Sequence, residues 1–146
     1  MEGISAVLFS CTLNAVRSPM AEAYFKHLFG HKIYVDSCGV RPEDTDGFAV
    51  AVMEEIGIDI SGHKPKSFDA LEDGSFDLII TLSPEAQHRA VDMTRVMACE
   101  VEFWNTLDPG IAEGSREHRL EVHRMIRDDI IKRIHNRFRT GGPSDV

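Results

Sequence analysis

Cys11 and Arg17 stand six positions apart in the run Cys11-Thr12-Leu13-Asn14-Ala15-Val16-Arg17-Ser18-Pro19. Five intervening residues allow the backbone to curl round a tetrahedral anion with its amides pointing inward. Arg17 can then cap the anion with a planar, bidentate fork that a lysine cannot supply. The same positive field favours the thiolate, the form in which a cysteine is a nucleophile. A Cys–Arg pair alone says little. Here it bridges an apolar run to the helix-start signal Ser18-Pro19, which makes it a candidate phosphate-binding loop.

Such a loop needs a strand before it and a helix behind it. Positions 4–9 read as a buried strand. From 18 to 29 the apolar residues Met20, Tyr24, Phe25, Leu28 and Phe29 share a helical face, and Gly30 ends it. A second strand is expected over 32–36, a loop over 41–46, and a helix over 47–56 closed by Gly57. The run 76–82, nearly all apolar, reads as a buried strand, followed by a helix opened by Pro84 and reaching about Arg95. A fourth strand over 101–104 and a loop over 107–114 lead to a last helix starting near Ser115. Its apolar residues Val122, Met125, Ile126, Ile130, Ile134 and Phe138 recur at helical spacing, while His118, His123 and His135 read as a solvated polar face. Strands alternating with helices predict an α/β fold: one domain over 1–139, with a four-stranded parallel sheet between two helical layers. Positions 140–146 read as a disordered tail. Cys11 falls at the carboxyl end of the first strand, where such sheets bind ligands.

Composition narrows the function. A chain of 146 residues with 42% hydrophobic and 27% charged residues is ordinary for one soluble domain. No apolar run is long enough to span a bilayer and no signal peptide is recognisable, so a cytoplasmic protein without membrane contact is expected. A net charge of −8 disfavours nucleic-acid binding. Three cysteines suit free thiols better than a disulfide framework, and Cys38 and Cys99, beside apolar segments, read as inert. The seven histidines form no ligand cluster, so neither a metal nor another cofactor is expected.

The segment VLFSCTLNAVRSPMAEAYF resembles the active-site loop of the low-molecular-weight protein tyrosine phosphatases. Thioredoxin-coupled arsenate reductases share that fold and loop. The resemblance extends through Asp36-Ser37-Cys38-Gly39, His63 and Asp108-Pro109, and so covers most of the chain. It implies that Cys11 attacks phosphorus, that Arg17 stabilises the transferring group, and that Asp108 serves as general acid and then base. Thr12, Leu13, Asn14, Ala15 and Val16 would form the anion cradle. Asn14, Ser18, Ser37 and His63 would hold the loop in shape, with Ser18 supporting the thiolate as it leaves. Read alone, His63 suits an exposed loop and Asp108 a turn.

This chain departs from the family pattern at several points. Leu13 stands where glycine is usual, and Val16 replaces the second cysteine that can protect the nucleophile by a disulfide. Gly110 and Ile111 stand where aromatic residues usually follow the Asp-Pro pair. Phe48 is the only aromatic in the loop after the second strand, so a deep phosphotyrosine slot is not expected. Three functions follow. The main expectation is a cysteine-dependent phosphomonoester hydrolase working through a cysteinyl-phosphate on a phosphorylated protein or small phosphate ester. The alternatives are an arsenate reductase using external thiols, and a non-catalytic phosphate-binding module. A thioredoxin-type relay would need a cysteine after the third strand, where the chain reads Ser83-Pro84-Glu85-Ala86-Gln87-His88-Arg89.

Overall fold

The computed structural model describes residues 3–71 and 74–138. Expectations for positions 140–146 lie outside them. The elements in chain order are β1 (Ala6–Cys11), α1 (Arg17–Phe29), β2 (Tyr34–Gly39), α2 (Gly47–Glu54), β3 (Leu78–Thr81), α3 (Pro84–Met93), β4 (Glu100–Phe103) and α4 (Arg116–Phe138). Short 3₁₀ turns lie at Phe68–Ala70 and Pro109–Ile111.

The four strands form one parallel sheet in the order β2-β1-β3-β4. Alternation along β1 divides the core. Val7 and Phe9 face one side with Val35, Leu78 and Ile80, covered by α1, α2 and α4. Ala6 and Leu8 face the other with Cys38 and Ile79, covered by α3 and Phe68. Both sides of the central strands are dry, which is why they read as unbroken apolar runs. The expected α/β sandwich is therefore the fold. β1 and β3 are neighbours, and the crevice beyond their carboxyl ends receives the segment after Cys11.

Two sequence expectations for α4 need correction. Val122, Ile126, Ile130, Ile134 and Phe138, four residues apart, are buried, but Met125 falls off that stripe and is exposed. His123 is not on a solvated face. It is buried between α4 and α2, where Nδ1 donates to the Arg119 carbonyl at 2.7 Å and its ring lies 5.3 Å from Phe48. His135 also has a partner, its Nε2 lying 2.6 Å from the Tyr24 hydroxyl. Helix–helix packing buries His123 and partly covers His135, and single-helix periodicity does not register it. Among the described residues, no helix is long and apolar enough to cross a membrane.

Candidate active site

The loop over 12–16 is built from its carbonyls outward. Cys11 O accepts from Val40 N (3.2 Å), Thr12 O from Arg41 N (2.8 Å), Leu13 O from Glu43 N (2.9 Å) and Ala15 O from Asp46 N (3.0 Å). His63 Nε2 lies 3.2 Å from Asn14 O. A trans peptide sets its N–H opposite its C=O, and no peptide here is cis. Tying five successive carbonyls outward therefore turns the amides of residues 12–16 into the bowl. The segment 40–46, which from sequence is only an acidic loop, is thus the template of the site. Gly39 lets the two segments approach.

Cys11 lies at the floor, 1% exposed. Its sulfur is 2.9 Å from Ser18 Oγ and receives the amides of Asn14 (3.3 Å) and Ser18 (3.4 Å). Asn14 takes φ = 54°, a left-handed conformation that asparagine tolerates better than most residues. Its side chain donates to Ser18 Oγ (2.7 Å) and Ser37 Oγ (3.1 Å), while Oδ1 accepts from Lys66 N (3.0 Å). Burial pulls His63 below the usual imidazole range, partly countered by Glu22. Arg17 is buried at the first turn of α1, its guanidinium held by the carbonyls of Thr106 (3.1 Å) and Leu82 (3.5 Å).

The bowl opens into a cavity of about 350 Å³ lined by Cys11, Arg17 and Asp108 together with Leu13, Ala15, Val16 and Thr12. Asp108 is exposed at its wall. One carboxylate oxygen caps the 3₁₀ turn through Gly110 N at 2.8 Å, so the turn role and the pocket position coexist. The wall holds one aromatic, Phe48, with the Arg119 guanidinium 5.3 Å over its ring. The Arg41–Glu85 ion pair (2.6 Å) crosses the rim beside Thr12. Arg41, Glu85 and Arg119 escaped the sequence reading because they are distant charged residues without a motif. Glu22, which accepts from Ser37 Oγ at 2.5 Å, had a signal: it lies four residues after Ser18, on the same helical face. All the loop residues singled out from sequence, with Ser37 and His63, meet in this one constellation. It can hold a tetrahedral oxyanion against a sulfur nucleophile, with a carboxyl group at the mouth.

Residues 6–134 match the family model described as low molecular weight phosphotyrosine protein phosphatase. The chain belongs to that family. The chain is 36% identical over 137 residues to an arsenate reductase of Halalkalibacterium halodurans, covering 92% of this chain and 96% of that protein. It is 34% identical over 130 residues to a glutaredoxin arsenate reductase of Synechocystis, covering 89% and 93%. Among solved structures, an arsenate reductase in the phosphate-binding state has a TM-score of 0.71 at 30% identity, covering 91% and 95%. A tyrosine phosphatase of Erwinia amylovora, with a TM-score of 0.70 at 19% identity over 93% and 96%, shares the fold. The chain is thus similar along most of its length to named arsenate reductases, and it shares its fold with a named phosphatase.

Neither of the other thiols lines the bowl. Cys38 pairs in register with Ser10, so its side chain projects to the opposite sheet face from Cys11, into the Leu8 cluster. Burial first, then the neighbouring Cys11 and Asp36, hold its thiol strongly protonated. Cys99 lies beside Gly3, Ile4 and Asp77, at the amino ends of the strands, and burial raises its pKa too. The segment after β3, 83–89, holds no cysteine and begins with Ser83, whose Oγ lies 3.0 Å from Thr12 Oγ1. Among the described residues, no group of three or more metal-ligating side chains occurs.

Proposed function

We propose that this protein is an arsenate reductase that completes its turnover with an external thiol. The full-length similarity to named arsenate reductases carries this reading over the hydrolase expected from the loop. The placement of Cys38 and Cys99 supports the external thiol.

In this reading Cys11, as thiolate, attacks arsenic, and the hydroxyl of a hydrogen arsenate takes the proton of Asp108 and leaves as water. Arg17 and the loop amides balance the charge on the remaining oxygens. The sulfur is backed by Ser18 and the amides of Asn14 and Ser18, so an in-line approach to sulfur from behind is blocked. Arsenic faces the open bowl. The incoming thiol, deprotonated by Asp108, therefore bonds to arsenic and displaces the Cys11 thiolate. A second thiol attacks the sulfur of the released adduct. The S–As electron pair stays on arsenic, giving arsenite and a disulfide. Two thiols are oxidised and one arsenate is reduced.

A second reading replaces the thiol by water and arsenate by a phosphate monoester, which Asp108 at the wall equally serves. The single aromatic wall residue disfavours phosphotyrosine. Parallel assays decide between the two readings: arsenate reduction with glutathione, and hydrolysis of an aryl phosphate. The proposal requires glutathione-dependent arsenite formation that is lost in Cys11→Ser. Aryl phosphate turnover without arsenite formation would overturn it in favour of the hydrolase. Phosphate binding with neither turnover would leave the binding module.

A further inference from the structure

Glu22 takes part in neither step above, yet its side chain is only 16% exposed and faces the back of the loop. The hydrogen bonds behind Cys11 have a direction that can be worked out atom by atom. Lys66 N donates to Asn14 Oδ1, so the Asn14 amide is oriented and both of its hydrogens point the other way, to Ser18 Oγ and Ser37 Oγ. Each serine oxygen thereby accepts and must send its own hydrogen elsewhere. Ser37 sends its hydrogen to Glu22 Oε1 at 2.5 Å. Ser18 has the Cys11 sulfur at 2.9 Å and the Cys38 carbonyl at the longer 3.4 Å.

We propose that Glu22 is a positioning residue for Cys11: its carboxylate is the terminal acceptor that keeps this chain one-way and so aims the Ser18 hydroxyl at the sulfur. Without that acceptor the Ser37 hydrogen, in a side chain with no solvent exposure, turns towards the Asn14 NH₂, which has no lone pair to receive it. Two donors then oppose each other, and Asn14 loses the seat from which it orients Ser18. Acceptance by Glu22 Oε1 carries the effect, rather than charge at the sulfur. The titratable groups around Glu22 are Lys26 Nζ (3.9 Å) on its own helix, His63 Nδ1 (3.9 Å) on the segment after α2, and the Lys66 ammonium, itself 2.7 Å from Asp36 on β2. Since both Asn14 atoms that face His63 Nε2 are acceptors, that nitrogen carries a hydrogen and braces the loop from the same side.

The proposal rests on Cys11 as nucleophile, but not on whether arsenate or a phosphate ester is the substrate. Its test is the rate of Cys11 alkylation by iodoacetamide at fixed pH, located by mass spectrometry, beside kcat and KM for both candidate reactions. Glu22→Ala should slow alkylation and lower kcat by roughly tenfold, the scale of one buried hydrogen bond, with KM within about twofold. Glu22→Gln, which keeps an oxygen acceptor, should recover to within about threefold of wild type. Glu22→Met, of similar length, gives the same comparison should the alanine variant not fold. Because Glu22 acts through Ser37, Glu22→Ala in a Ser37→Ala background should add little. Alkylation of Glu22→Ala at the wild-type rate, equal losses in the Gln and Ala variants, or independent losses at 22 and 37 would each overturn the proposal. Turnover by Cys11→Ser would instead end the nucleophile reading itself.

Discussion

A Cβ built on Gly39 would lie 2.7 Å from the amide nitrogen of Asn14, and 2.9 Å from the carbonyl carbon of Leu13. Neither contact can yield through a side-chain rotation, since both are backbone atoms. The end of β2 and the bowl thus meet across a position where only glycine fits. This close approach lets segment 40–46 hold the loop carbonyls.

Gly39→Ala is therefore expected to push the loop away from its template. The stability cost should be about 1–3 kcal/mol, as for an overpacked core, seen as a lowered urea midpoint. Activity should fall further than stability alone explains, because displaced amides no longer converge.

Arg17→Lys keeps a positive charge but loses the planar fork and the anchoring to Thr106 and Leu82. Steady-state kinetics should show kcat lower by about 10²–10³. A lysine variant at wild-type rate would show that Arg17 serves only as a point charge.

The external-thiol reading predicts that the double variant Cys38→Ala/Cys99→Ala still reduces arsenate with glutathione, within a few-fold of wild type. Loss of reduction in a folded double variant would mean that an in-chain thiol takes part after all. Mass spectrometry of wild type during turnover should find Cys11 free of a disulfide to Cys38.

Burial depresses the His63 pKa in the folded chain, so the unfolded chain binds more protons as pH falls below the ordinary imidazole value of about 6.5. The His63 contribution to stability is present above that value and is lost as pH falls through the folded pKa. Thermal melts of wild type and His63→Gln between pH 7.5 and 5 should show the wild type losing more stability over that window. Parallel curves would remove His63 as a contributor.

Much was readable along the chain because it depends on neighbours in sequence. The apolar runs ending at Phe9 and Leu82 announce strands dry on both sides, and Pro84 opens α3, with Ser83 Oγ accepting from Ala86 N. The helix expected to run to 56 ends at Glu54, two turn residues ahead of Gly57 with its φ of 78°. The spacing of Cys11 and Arg17, between strand and helix, was enough to locate a candidate anion bowl. Edges shifted by a residue or more: β1 runs on to Cys11 and β2 to Gly39, because their parallel pairing with each other extends both.

Contacts between distant segments were not readable. The Val40 and Arg41 amides reach loop carbonyls nearly thirty positions earlier, and Lys66 N reaches Asn14 across 52 positions. Glu22 and His123 look like ordinary charged or polar helix residues until the packing of β2 and α2 closes over them. A local pattern records which residue types can make a nucleophile and its cradle. Which carbonyls are tied back, which way each hydroxyl points, and that neither Cys38 nor Cys99 lines the bowl depend on chain closure in three dimensions. Backbone hydrogen bonds carry no signature of their partner in the side chains that flank them.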